Sequence, residues 1–228
     1  MTDDKILWSY SGDTGPEKWG ELSPAYSACK LGRMQSPIDL GAAEPKKLPP
    51  LLVNYGAAPL HVRNTGRTIE VVSDGQGAVY AFDGAYHMSG FHFHAPGEHV
   101  VNGERFPLEV HFVHQSPGEG RAELAAFYKV GDHNANMDVI LDNLPGRAGE
   151  ERKAKLAFNP LSIITKFRVY YTYYGSLTEP PCSENVLWLA LKKPSELSEA
   201  QLEKFTTLLG QNSRPLQPLN DRKVWISA

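Results

Sequence analysis

Phe91-His92-Phe93-His94 and, further along, Glu109-Val110-His111 are the stretches whose reading decides the fold and its purpose. Both carry aromatic and β-branched residues in strict alternation with polar ones, the pattern of an extended strand. Successive side chains on a strand point to opposite faces, so His92 and His94 share one face. Glu109 and His111 share a face by the same parity. If the two strands pair, three imidazoles and one carboxylate meet on one side of a sheet. Three neutral imidazoles suit Zn²⁺ and leave a fourth tetrahedral position open, the arrangement of a catalytic rather than a structural zinc site. A metal-bound histidine commonly donates its other ring N–H to a carboxylate, and Glu109 is placed to accept that bond from His111.

The 228 residues suffice for one sizeable core, so a single domain over residues 1–228 is expected. Hydrophobic residues make up 41% and charged residues 21%, with a formal net charge of −3. No run of like charge stands out, which speaks against nucleic acid or an anionic membrane as the main partner. No apolar stretch is long enough to insert in a bilayer. The first residues, Met1 to Lys5, are polar and acidic and show no export-signal pattern. That leaves a cytosolic chain or the mature form of an exported one. The two cysteines, Cys29 and Cys182, fit either a pair of free thiols or one disulfide, and spacing alone does not choose.

Residues 1–50 are rich in Gly, Pro and Ser and read as an irregular arm anchored by Trp8, Tyr10 and Trp19. Beyond residue 51 strands follow one another: Leu60–Val62, Thr68–Val72, Ala78–Phe82, Tyr86–His94, Leu108–His114, Glu123–Val130, Arg168–Tyr174 and Val186–Leu191. Asn64-Thr65-Gly66-Arg67 and Asp83-Gly84 read as tight turns, so most pairing should be antiparallel. Two helices are expected. Ala135–Leu144 carries Met137, Ile140, Leu141 and Leu144 on one face before Pro145-Gly146. The other starts at Ser198, where Gln201 completes a capping box, and ends at Gly210. Many strands with few short helices predict a mainly β fold around a large, mostly antiparallel sheet.

The remaining histidines, His61, His87, His99, His114 and His133, read singly as surface residues. Glu98, four residues after His94, admits a cupin-like alternative with Glu98 as a ligand, but Pro107 to His111 lacks the glycine that motif needs.

Four separated segments then coincide with one family: Gln35-Ser36-Pro37-Ile38; Phe91 to His94 with Glu98-His99; Glu109 to His114; and Tyr173-Tyr174-Gly175-Ser176-Leu177-Thr178-Glu179-Pro180-Pro181. In this order and spacing the chain resembles an α-class carbonic anhydrase of the bacterial type, from Trp8 to the C-terminus. The resemblance implies a central twisted ten-stranded sheet and zinc-dependent, reversible hydration of carbon dioxide to bicarbonate, with weak esterase activity. It assigns His92, His94 and His111 to Zn²⁺ and Glu109 to the outer shell. Thr178 and Glu98 become the pair that orients the attacking oxygen, and Val113, Leu177 and Trp188 the apolar wall for carbon dioxide. It implies inhibition by sulfonamides and anions, and a homodimer, as in many bacterial relatives. A Cys29–Cys182 disulfide, a periplasmic or secreted location, and cis bonds at Ser36-Pro37 and Pro180-Pro181 also follow from it.

Two positions depart from the family pattern. The position of the proton-shuttling histidine is Arg67, and a guanidinium does not relay protons. Proton export is therefore expected to limit turnover, with Glu70 or Glu179 as partial substitutes. Gly90 stands where many members carry a glutamine that bonds the first ligand, so His92 is expected to lack that partner at modest cost in zinc affinity.

Overall fold

The computed structural model describes residues 7–73, 77–82, 84–118 and 120–228. Met1 to Lys5 and Asp83 of the expected turn lie outside the described residues. Among the described residues the chain builds one sheet of thirteen strands and a two-stranded ribbon, Val100–Val101 with Glu104–Arg105. Ten strands form its continuous path. In spatial order they are Glu44–Lys46, Trp225–Ser227, Tyr170–Ser176, Glu184–Leu191, Arg121–Val130, Leu108–Gln115, Gly84–His94, Ile69–Val72, Ala58–Asn64 and Glu151–Phe158. Leu52–Tyr55, Gly77–Ala81 and Ser195–Leu197 branch from that path.

Pairing is mostly antiparallel, as the frequent turns require. Exceptions are Arg121–Val130, which runs parallel to Glu184–Leu191 and Ser195–Leu197, and Glu44–Lys46, which runs parallel to Trp225–Ser227. The expected hairpin is present, with Val62 opposite Val71 and Asn64 opposite Ile69. Asn64 Oδ1 accepts from Gly66 N at 2.9 Å, and Gly66 supplies the left-handed φ of 80° that the turn requires.

The expected strands all occur, with ends moved by a few residues. Glu151–Phe158 escapes sequence reading for a physical reason. It is an edge strand, largely exposed, whose charged residues give no alternation. Its place comes from backbone pairing with Ala58–Asn64.

Parity sorts the two histidine-bearing strands into two faces. Phe91, Phe93, Val110 and Phe112 enter the larger core, with Phe91 and Phe112 ring centroids 5.0 Å apart. The helix Glu199–Leu209 covers this side and stacks Phe205 on Phe93 at 4.8 Å. Its capping box between Ser198 and Gln201 forms as expected, and Gly210 closes it. The helix Ala135–Leu141 starts at Asn134, whose side chain accepts from Asn136 N and Met137 N, and it ends short of Leu144.

On the opposite face lies a smaller cluster that includes Ala125, Phe127, Tyr173, Val186 and Trp188. The N-terminal arm clamps one rim of that face. Trp8, Tyr10 and Trp19 meet edge to face at 5.1–5.6 Å, and beside them Cys29 is joined to Cys182. Cis bonds occur at Ser36-Pro37 and Pro180-Pro181, and a third at Ala95-Pro96.

Candidate metal centre

Cross-strand register brings the ligands together. His92 stands directly opposite His111, and His94 directly opposite Glu109. One ring nitrogen from each of His92, His94 and His111 falls within a cluster no wider than 4.8 Å. The atoms that converge are His92 Nε2, His94 Nε2 and His111 Nδ1, and each is buried without a hydrogen-bond partner. Buried polar atoms are nearly always satisfied, so three orphaned nitrogens aimed at one point mark a cation site. Nitrogen donors in this number fit Zn²⁺.

Outward-facing nitrogens set the tautomers of two ligands. His94 Nδ1 lies 2.8 Å from the Asn212 carbonyl oxygen, so it carries the hydrogen and leaves Nε2 with a lone pair. His111 Nε2 donates to Glu109 Oε1 at 2.7 Å, which frees Nδ1. Among the described residues His92 has no such partner. Gly90 cannot simply be exchanged for a residue that would provide one, because a Cβ there would stand 2.6 Å from the Val71 carbonyl oxygen.

Glu109 is the most heavily bonded group of the centre. Its Oε2 accepts from Glu98 N at 2.6 Å and His99 N at 2.9 Å, and its Oε1 accepts from His111 and from His99 Nδ1 at 2.7 Å. Burial alone would raise its carboxyl, but His99 and His111 hold it well below the usual carboxylate range. An ionised Glu109 only accepts, so His99 Nδ1 carries the hydrogen and His99 Nε2 accepts from the Tyr173 hydroxyl at 2.7 Å. The Tyr173 oxygen in turn accepts from Ser36 Oγ at 2.8 Å. A chain Ser36–Tyr173–His99–Glu109–His111 thus fixes the third ring.

Two surface assignments are corrected here. His99 is wholly buried as part of this chain, and His114 is wholly buried on the other face. The signal for His99 was its place beside Glu98 in a motif already quoted. The signal for His114 was its apolar-phase parity with Val110 and Phe112.

Burial shapes the charge of the centre. It pushes His92 well below the ordinary imidazole range and lowers His111 to about 4, reinforced by the neighbouring histidines. For His94 burial pulls the same way, but Glu98, Glu179 and the Asn212 carbonyl outweigh it and raise the group. Glu98 is raised by burial, opposed by His94, the Arg214 amide and the Thr178 side chain. Arg214 N donates to Glu98 Oε1 at 2.7 Å, and buried Thr178 lies in reach of the same carboxyl. Glu98 is not within the three-histidine cluster.

A family model described as eukaryotic-type carbonic anhydrase matches residues 14–228. The chain belongs to this family. A carbonic anhydrase of Nostoc sp. is 39% identical over 96% of this chain and 85% of its own length. The structure of an α-carbonic anhydrase from Thermovibrio ammonificans, complexed with the inhibitor sulfanilamide, is 44% identical with a TM-score of 0.94, covering 96% of this chain and 99% of that one. A hyperthermostable carbonic anhydrase from a hydrothermal vent chimney is 38% identical at a TM-score of 0.94, over 97% of this chain and all of that one. Membership of the carbonic anhydrase family removes the cupin-like alternative.

The other positions named from sequence differ in how near they come to the cluster. Trp188 is fully buried with its ring 4.8 Å from that of His111, while Val113 and Leu177 are half-buried. The Arg67 guanidinium lies 4.3 Å over the Trp8 ring. Glu70 sits opposite His92 and approaches Arg63 at 3.4 Å, and Glu179 accepts from the Tyr10 hydroxyl at 2.9 Å. Glu123, which the sequence marks only as the start of a strand, stands between Val113 and Trp188.

Proposed function

We propose that this chain is a zinc-dependent carbonate dehydratase, hydrating carbon dioxide reversibly to bicarbonate, with ester hydrolysis as a side reaction. The observation that carries the reading is the convergence of three orphaned ring nitrogens in a chain of this family. His92, His94 and His111 would hold Zn²⁺. When bound, the ion activates water as a nucleophile near neutral pH, an effect for which this enzyme family is the standard illustration.

The chain supplies everything else. Glu109 steadies His111 and offsets part of the ion's charge. Thr178, with Glu98 accepting its hydroxyl hydrogen, aims a lone pair at the attacking oxygen. Glu98 can serve only if it stays in place, and Arg214 N supports that. Val113, Leu177 and Trp188 offer carbon dioxide a dry surface, since a nonpolar gas gains nothing from hydrogen-bond donors. Arg67 relays no proton, so buffer must collect it from the cavity. The disulfide and the bacterial relatives support a secreted or periplasmic setting.

Metal analysis with a carbon dioxide hydration assay tests this. The expected result is one Zn²⁺ per chain, hydration that follows zinc content, and inhibition by sulfanilamide. A fully zinc-loaded protein that leaves carbon dioxide untouched refutes it.

A further inference from the structure

Glu123 has a position that the chemistry above does not explain. It stands directly across from Val113 on one neighbouring strand and from Trp188 on the other. Both are residues of the apolar wall, so a carboxyl group interrupts the surface offered to carbon dioxide. It is 3% exposed, and its Oε2 is buried without a hydrogen-bond partner. That oxygen is 3.5 Å from His111 Nδ1, itself one of the three orphaned nitrogens.

A buried carboxyl group without a partner is costly when ionised: it keeps its proton, the direction in which burial pushes Glu123, or a cation compensates it. No cationic side chain forms an ion pair with Glu123 among the described residues. Glu98 Oε2 also lacks a partner and lies 3.9 Å from the same nitrogen. Glu98, however, is tied through Oε1 to Arg214 N. Glu123 Oε2 stands outside the 4.8 Å cluster of ring nitrogens. Ligation therefore needs a rotation of its side chain, and no hydrogen bond to that oxygen opposes one.

We propose that Glu123 is a fourth protein ligand of the metal, closing the position that the three imidazoles leave open. Zn²⁺ readily takes a glutamate oxygen beside histidine nitrogens, at about 2.0–2.2 Å. With Glu123 on the ion the centre holds metal tightly and excludes substrate. With Glu123 withdrawn the position opens, but the carboxyl then lies against the apolar wall. In either state Glu123 holds hydration below what the three histidines would otherwise support. The inference rests on the three-histidine reading and goes beyond it, by giving this chain a residue that competes with its own substrate.

The test compares wild type with Glu123→Val and Glu123→Gln as holoenzymes. Three quantities are measured: zinc release to a chelator, the visible spectrum of the Co²⁺-substituted protein, and sulfanilamide affinity. Both variants are expected to release zinc about tenfold faster or more, the scale seen when metal surroundings are weakened. Their Co²⁺ bands should differ from wild type, and sulfanilamide should bind about tenfold more tightly to the opened position. The glutamine variant keeps the shape, so it decides the matter if valine disturbs folding. Wild-type release rates and superimposable Co²⁺ spectra in both variants overturn the proposal while leaving the three-histidine site intact. A wild-type protein that takes up no divalent ion overturns both.

Discussion

His111 and His114 lie three residues apart on one strand, equally buried, and face opposite sides of the sheet. His114 stacks on Tyr55 at 5.8 Å and bonds the Tyr55 hydroxyl through Nε2 at 2.8 Å. Its Nδ1 is orphaned and solitary. His111 has one nitrogen tied to Glu109 and the other aimed at two more orphans. Burial is the same for both, and so is the direction of its effect, to about 3 for His114 and about 4 for His111. The difference is convergence. One unpaired nitrogen in an apolar core is a tolerated cost, whereas three facing each other are a ligand set.

The harshest way to break this contrast is His111→Ala. It should abolish metal retention and reduce hydration to background, while His114→Phe keeps its zinc. Metal content after dialysis checks both, and a His111→Ala protein that retains Zn²⁺ would erase the distinction. Next comes Glu109→Gln, which leaves the ligands and removes the charge behind His111. A loss of about 10- to 100-fold in zinc affinity is expected, measured by competition with a chelator.

The other face is probed by acid. His114 is held below its unfolded value near 6.5, so the unfolded chain binds the extra proton between about pH 3 and 6.5. Stability from this group is therefore complete above that window and lost as pH falls through it, by at most about 1.4 kcal/mol per pH unit. Denaturant midpoints of metal-free protein at pH 4.5 and 6.5 should differ less in His114→Phe than in wild type. Parallel behaviour would show that His114 does not store this energy.

The smallest effect concerns Arg67. Arg67→His should raise hydration a few-fold at low buffer, with the gain vanishing as imidazole is added. No gain at low buffer would place the limiting step elsewhere.

Alternation in Phe91–His94 and Glu109–His111 made the ligand face legible, because strand parity and the fold both follow from sheet geometry. The capping box at Ser198 and the hairpin at Asn64 were legible for the same local reason. Glu151–Phe158 was not, since a charged edge strand has no core-facing rhythm. His99, Tyr173 and Ser36 joined through long-range pairing that no local pattern encodes. Glu123 was hidden in a strand whose other residues are mostly apolar, and only the register beside Val113 and Trp188 exposes its position.

The bond between Cys29 and Cys182 has a reach beyond the arm it fastens. Cys182 closes the turn that carries Thr178 and Glu179, with its amide donating to the Glu179 carbonyl at 2.8 Å. Arg214, whose amide steadies Glu98, also grips the Cys29 carbonyl through Nη2 at 3.0 Å. Both Thr178 and Glu98, the pair proposed to orient the attacking oxygen, are thus moored to the same covalent staple. A thiol reductant would slacken that mooring while leaving the three imidazoles on their strands, so it would disturb the placement of Thr178 and Glu98 before that of the histidines.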